Sequence, residues 1–312
     1  MLRYTVQRIL VAIPVLLIVL TVIFLAIRVA PGDPALAVLG DRATEDALER
    51  VRERMGLNAP LHIQYWEFLS GLLVGDLGLS LVTGRTASSM VAGVLPHTVQ
   101  LAFSAIVISL ILGIPTGVWA AVNRNRWPDY LGRIVSLTGL SFPAFYLAIL
   151  MMLLFAVVLG WFPTTGVQPF SDPIGNLRHL VLPAVTLGMI AGAYVTRVTR
   201  SIVLNILTED YVRTARSKGL GERVVLFKHA LRPGLIPIAS LVGIYAITLL
   251  GSAVTTEIVF ARPGLGRLLV NATMQRDYGL IQAVVVVFAI IVVAVNVITD
   301  LVYGALDPKV RS

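Results

Sequence analysis

Six stretches of this chain run for 17 to 27 residues without a charged side chain: Ile9–Ile27, Thr98–Val122, Ile134–Gly160, Leu180–Thr196, Gly234–Thr256 and Tyr278–Thr299. A helix crosses the hydrocarbon core of a bilayer in about 20 residues, so these runs predict six spans, with Leu180–Thr196 the shortest. None of them alternates strictly between apolar and polar residues, as the strands of a membrane β-barrel do. The expected fold class is therefore all-α integral membrane, with six transmembrane helices. Composition agrees. Hydrophobic residues make up 57% and charged residues 13%, with a mean hydropathy of +0.85, whereas soluble domains have about 45–50% and about 25%.

The charges that remain lie between the runs, and their distribution reports orientation. Six spans put both termini on one side. If that side also holds Asn123–Arg133 and Arg197–Pro233, it carries 15 of the 25 lysines and arginines. Basic residues of short loops are retained in the cytoplasm, so both termini are expected there. The net charge of +8 then reads as a topology signal, and no nucleic-acid partner is expected. Arg3 and Arg8 before the first run, with Ala35-Leu36-Ala37 after it, resemble a secretory signal. The run exceeds the roughly 7–15 residues of a signal core, which predicts a retained membrane helix.

Several chemistries are excluded by what the sequence lacks. With no cysteine there are no disulfides, thiolate metal sites or cysteine nucleophiles. His62, His97, His179 and His229 are isolated, without the spacing of a metal site, so no metal is expected. There is no Gly-x-x-x-x-Gly-Lys-[Ser/Thr] loop to cradle phosphates and no Gly-x-Ser-x-Gly elbow. The chain is expected to be neither an ATPase nor a hydrolase, and to hold no cofactor of its own. Asp300, close to the cytoplasmic end of the last run, is the one acidic candidate for ion coupling. It reads either as a helix-end partner for an arginine or as a group coupled to an ion gradient.

Two segments between the runs should fold locally. In the segment from Ala30 to His97, Thr44 caps a helix that begins with Glu45 and Asp46 and ends at Gly56. Pro60 then opens an amphipathic helix carrying Leu61, Tyr65, Phe68, Leu69 and Leu72, with Trp66 beside them, suited to the membrane surface. In Arg197–Pro233, Thr208 is the expected N-cap of a helix over Glu209–Lys218, and Gly219 is its left-handed end. A second short helix is expected from about Gly221 to Leu231, with Pro233 stopping it. Val212 and Ala215 would face either the bundle or a partner, and Arg213 and Arg216 share a face. On periodicity alone this element is either a solvated basic loop or a docking surface.

The run Glu209-Asp210-Tyr211-Val212-Arg213-Thr214-Ala215-Arg216-Ser217-Lys218-Gly219, followed by His229-Ala230-Leu231-Arg232, resembles the cytoplasmic coupling loop of ABC-importer permeases, and within them the dipeptide/oligopeptide permease family. Ala215, Gly219 and Leu231 match the general permease motif, while Arg213 stands where that motif has its leading acid and Arg232 where it has its last proline. The resemblance continues along the chain in Pro31-Gly32-Asp33-Pro34, Gln64-Tyr65, Gly75-Asp76-Leu77-Gly78, Leu95-Pro96-His97-Thr98, Glu257-Ile258-Val259-Phe260, Pro263-Gly264-Leu265-Gly266, Arg276-Asp277-Tyr278 and Leu306-Asp307-Pro308, together with Asn296, Asp300 and Tyr303.

That resemblance implies a type I ABC importer permease in a bacterial inner membrane. It implies a homologous second permease, two cytoplasmic ATP-binding subunits that bind ATP and magnesium, and an extracytoplasmic substrate-binding protein. Di- and oligopeptides are the implied substrates, with nickel or another small solute as the alternative. Outside the family, the alternative is an ion-coupled carrier. Three regions would make up the permease: a first helix over 1–29, an extracytoplasmic segment over 30–97, and a five-helix core over 98–312 that contains the coupling loop. ATPase coupling would fall to Glu209, Asp210, Tyr211, Arg213, Thr214, Ala215, Arg216, Lys218, Gly219 and Leu231.

Two further sets of residues come from polarity within and between the spans. Ser141, Tyr146, Tyr194, Thr196, Ser240, Tyr245, Thr248 and Ser252 either line a passage or pack helices closely, as the small residues of Gly113-Ile114-Pro115-Thr116-Gly117 can do. The segment Glu257–Asp277 is too polar to span. Its Glu257, Phe260, Pro263, Gly264 and Asp277 suit an outer gate or a docking surface for the binding protein.

Overall fold

The computed structural model describes residues 2–29, 44–54 and 58–306, which form helices and a single isolated bridge between Leu79 and Thr86. Pro31-Gly32-Asp33-Pro34, Ala35-Leu36-Ala37, Gly56 and Asp307-Pro308 lie outside the described residues. Helices α1 (Leu2–Val29), α2 (Glu45–Arg54), α3 (Leu61–Leu73), α4 (Ala87–Val122), α5 (Trp127–Ser141), α6 (Ala144–Met152) and α7 (Pro173–Leu207) are followed by the short α8 (Asp210–Ser217) and α9 (Glu222–Val224), then α10 (Arg232–Val259), α11 (Leu265–Met274) and α12 (Tyr278–Leu306).

Among the described residues, five helical stretches are long and apolar enough to cross a membrane: α1, α4, α7, Glu222–Val259 and α12. The remaining predicted span, third in chain order, is broken. Over Ile134–Gly160 the chain forms α5 and α6, bent by 102° between them. Pro143 accounts for the break, because it disfavours helical backbone at the residue before it and offers no N–H to bond. Phe142 and Pro143 are accordingly extended, with ψ of 129° and 136°. A six-residue π-helical stretch then continues α6 over Leu153–Val158.

The chain divides into two compact units. The first comprises Met1–Ile9, His97–Arg262 and Val295–Ser312. Here α7 is the central helix, packed against α10, α5 and α6. It contains the shortest apolar run, yet 67% of its spanning window is buried, against 11% for α1. Its close crossing with α4 is made by glycines. A Cβ on Gly113 would sit 2.6 Å from Val195 Cβ, and one on Gly117 would sit 2.7 Å from the Thr196 carbonyl oxygen. Across the same seam, the hydroxyls of Thr116 and Thr196 are 2.8 Å apart. Asp300 pairs with Arg8 at 3.3 Å, and its carbonyl accepts from the Tyr4 hydroxyl at 3.2 Å. Of the two readings of Asp300, the structure displays the helix-end ion pair, and it brings the beginning of α1 beside the end of α12.

The second unit comprises Leu10–Pro96 and Pro263–Ala294. Its core joins Ala87 and Val91 of α4 to Leu265 and Ala272 of α11 and to Leu280, Ala283 and Val284 of α12. The surface helix α3 lays Tyr65 and Phe68 on Phe24 of α1, with ring centroids 5.2 and 5.6 Å apart, and leaves Trp66 exposed. Its aromatic face is therefore an internal packing face as well as an amphipathic one.

Candidate functional site

The segment between α7 and α10 forms a helical joint. Thr208 does not cap the helix that follows it. It is the C-cap of α7, its hydroxyl donating to the Asn205 carbonyl at 2.7 Å, and Glu209 takes the N-cap position of α8. The expectation fails because a threonine serves either end of a helix, and here the preceding helix runs eleven residues past the apolar run and reaches it first. At the other end of α8, Gly219 has φ +75°. Its N–H donates to the Arg216 carbonyl at 2.9 Å, and the Leu220 N–H donates to the Ala215 carbonyl at 3.4 Å. These two bonds close a helix around a left-handed residue, which suits glycine.

Pro233 does not stop the second short helix. From Glu222 the helix passes through a π segment, Val225–Leu231, and continues into α10. Proline lacks only the N–H, and the widened turn before it accommodates the ring, so this short helix and the fifth span form one continuous rod. Val212, Ala215 and Val225 pack together against Ile206 and Leu207, while Leu231 joins Val118, Ala121 and Val203. Val212 and Ala215 thus face the bundle. Glu209, Asp210, Tyr211, Arg213, Thr214, Arg216 and Lys218 remain exposed. Arg216 reaches across the joint to Glu222 at 2.9 Å, and Arg213 pairs with Asp210 at 3.6 Å. A solvated loop needs no such core, and the exposed face, extended by Leu220, Val224 and Phe227, mixes charges of both signs with apolar side chains.

The polar span residues are dispersed. Tyr194 of α7 and Tyr245 of α10 stack face to face, with centroids 4.2 Å apart. Ser240 and Ser252 are half-buried on the same rod, and Thr248 is exposed. Ser141 and Tyr146 flank the break between α5 and α6 and are exposed, Tyr146 stacking on Phe142. The Ser141 and Ser252 hydroxyls are turned to carbonyls of their own helices.

Glu257 and Phe260 are buried at the end of the rod remote from the joint. Thr98 donates to Glu257 at 2.6 Å. Next to this contact, the fully buried Arg262 donates from Nη2 to Gln100 at 2.6 Å, and Gln100 in turn donates to Asn176 at 2.7 Å. Burial pulls the Arg262 guanidinium below its usual pKa, and the Glu257 carboxylate opposes that shift. In the second unit, Pro263 and Gly264 lead into α11. Asp277 caps α12 through the Leu280 N–H and accepts from Ser80 at 2.5 Å. Glu257 and Asp277 are each 1% exposed. Each carboxylate is turned into the fold rather than toward the surface.

Sequence reasoning missed Gln100, Asn176, Arg262 and Asp129. Gln100 carried a signal, as a lone amide in an apolar run. Asp129 carried another, as the one acid among Arg124, Arg126 and Arg133. Among the described residues no cluster of three metal-ligating side chains occurs.

The chain is similar to known proteins along its whole length. Residues 113–312 match the family described as binding-protein-dependent transport system inner membrane component, and residues 1–102 match its N-terminal companion. The glutathione transport system permease protein GsiC of Salmonella typhimurium strain LT2 is 41% identical over 311 residues, covering 100% of this chain and 99% of that protein. GsiC of Escherichia coli strain K12 is 40% identical over the same span. Among solved structures, a chain of the MetNI methionine ABC transporter in inward-facing conformations superposes with a TM-score of 0.58 at 20% identity, over 70% of this chain and 96% of that one.

Proposed function

As this chain belongs to the binding-protein-dependent transport system inner membrane component family and has the type I permease fold, we propose that it is the ABC-importer subunit through which short peptides, of the size of dipeptides to small oligopeptides, cross the membrane. Glutathione, itself a tripeptide, is the transported molecule in the name of relatives that match this chain end to end. That end-to-end match is the observation that carries the reading.

In this reading an extracytoplasmic binding protein delivers the peptide, a second homologous permease completes the passage, and one of two ATP-binding subunits docks on the exposed face of α8. The helix Glu222–Val259 is 38 residues long, or roughly 57 Å at 1.5 Å per residue. One end carries the joint with α8 and the other carries Glu257 on Thr98. A displacement imposed at the joint therefore reaches the far end through one rod rather than through a chain of loops. Tyr194, Ser240, Tyr245 and Thr248 offer hydrogen bonds and aromatic surface without fixed charge, which suits peptide backbones of varied sequence.

The deciding experiment is uptake into vesicles containing the reconstituted importer with ATP enclosed, using labelled glutathione, a dipeptide, a pentapeptide and nickel in turn. ATP-dependent accumulation of one or more peptides and not of nickel is expected. Nickel uptake alone would move the substrate class. Uptake without ATP, driven by a proton gradient, would overturn the importer mechanism.

A further inference from the structure

Near the joint, a groove of about 210 Å³ opens between α5 and α7, lined by Gly132, Arg133, Ser136, Leu137, Arg197 and Arg200. Three guanidiniums line it, and two of them hold one carboxylate. Asp129, fully buried, is held by both Arg200 and Arg133, the latter at 2.7 Å. Arg197 is exposed and makes no hydrogen bond or ion pair among the described residues. Ser136 is 3% exposed, and its buried hydroxyl has no partner. A buried hydroxyl without a partner is costly, and a surplus of guanidinium beside it selects an anion that accepts several hydrogen bonds at once.

The surroundings select the kind of anion. Trp119 and Trp127 meet edge to face at 5.1 Å at the adjoining ends of α4 and α5, and Arg133 lies over the Tyr130 ring. Such aromatic and basic residues gather at the level of lipid headgroups. Beside the groove, Ile134 and Leu137 of α5 are 60% and 59% exposed, a lipid-facing flank along which acyl chains can run. Basic pockets between membrane helices on the cytoplasmic side are suited to phosphorylated headgroups.

We propose that this groove is a binding site for an anionic phospholipid of the inner leaflet, its phosphate held by Arg197, Arg133 and the Ser136 hydroxyl. Asp129 fixes Arg200 and Arg133 in place and leaves Arg197 to supply the unmatched charge. The bound lipid then braces α5 against α7 next to the coupling joint, whatever substrate the importer carries.

The test uses the complete importer in phosphatidylcholine vesicles containing a minor fraction of photoreactive phosphatidylglycerol, with photoreactive phosphatidylcholine as the control. After illumination, labelled peptides are mapped. Phosphatidylglycerol should label the α5 and α7 peptides in preference to phosphatidylcholine. Arg197→Gln should lower that labelling about five-fold, the scale of one basic residue at a charged bilayer surface, and Arg197→Lys should restore most of it. Ser136→Ala should lower it further without changing the amount of folded complex. Equal labelling by the two lipids overturns the proposal. So does loss of labelling to added inorganic phosphate at concentrations that leave bulk lipid unaffected, which would mark a soluble phosphate site. Cross-linking of Arg197→Cys to the second permease would show the groove to be covered by protein, with the same consequence.

Discussion

Oγ1 of Thr98 donates to Oε1 of Glu257 at 2.6 Å, with both side chains buried, and the contact ties the start of the second span to the last turn of the fifth. Hydrogen bonds to a charged partner contribute about 1.5–3 kcal/mol, and leaving the buried carboxylate short of a donor costs on that order. Thr98→Val should therefore destabilise the first unit by about 2 kcal/mol, whereas Thr98→Ser keeps the donor and should behave as wild type. Thermal unfolding of the two variants in detergent checks this. An unchanged midpoint for Thr98→Val would show the contact to be energetically idle.

Asp129 is the hub of a second buried network. Removing a carboxylate from between two guanidiniums leaves uncompensated charge, a change worth about 3–5 kcal/mol for a fully buried pair and less here, because Arg133 and Arg200 keep partial exposure. Asp129→Ala and Arg200→Met should each reduce the yield of folded protein, and their combination should cost clearly less than the two losses added together. A double-mutant cycle on unfolding midpoints measures that coupling, and strict additivity would deny it.

Much of this architecture was legible in the sequence because hydropathy reports contact with lipid. The run in α1 is only 11% buried within the chain, and it is also the plainest of the six. The run Leu180–Thr196 looked weak for the opposite reason. It lies in the helix most enclosed by others, where Gly188, Gly192 and Thr196 serve close packing rather than lipid solubility. The 102° break at Pro143 was hidden, since an apolar run reads the same whether the chain crosses the membrane straight or turns within it. Gly219 was legible as a left-handed residue from its place after a basic helix end. The continuity of Glu222–Val259 was not, because proline at position 233 normally marks a stop, and only the π turn before it lets the helix pass. The partners Gln100, Asn176 and Arg262 come from three separate parts of the chain and share no local pattern.

The crossing of α4 and α7 should tolerate no side chain at its glycines. A Cβ at Gly117 would lie 2.7 Å from both the Thr196 carbonyl oxygen and Thr199 Cβ, well inside van der Waals contact, and overpacking of this kind costs about 1–3 kcal/mol. Gly117→Val should lower the amount of stable protein in membranes several-fold. Gly251 has no neighbour within 4 Å of such a Cβ, so Gly251→Ala is the control expected at normal levels. Immunoblotting of membrane fractions separates the two.

Orientation follows from the loop charges. Single cysteines placed at the exposed Thr83 and Ser217 should differ in reactivity toward an impermeant thiol reagent applied to intact cells. Thr83→Cys is expected to react and Ser217→Cys to remain protected until the membrane is opened. The reverse pattern would put the basic loops outside.

The coupling joint gives the sharpest separation of folding from function. Gly219 has φ +75°, and nothing lies within 4 Å of a Cβ built there. Substitution therefore strains only the backbone, by about 1–2 kcal/mol for a β-branched residue and less for asparagine, which visits this conformation more readily. Gly219→Val should relieve that strain by tilting α8 away from α9, breaking the packing of Val212 and Ala215 on Val225 and moving Arg216 off Glu222. The spans do not depend on this joint for insertion, so the variant should reach the membrane at near-normal levels, lose stable association with the ATP-binding subunits, and lose ATP-driven uptake. Gly219→Asn should keep most of both activities. Co-purification of the ATP-binding subunits with each variant, alongside peptide uptake, reads out the difference. Undiminished uptake by Gly219→Val would show that α8 transmits nothing and is a basic loop that happens to be folded.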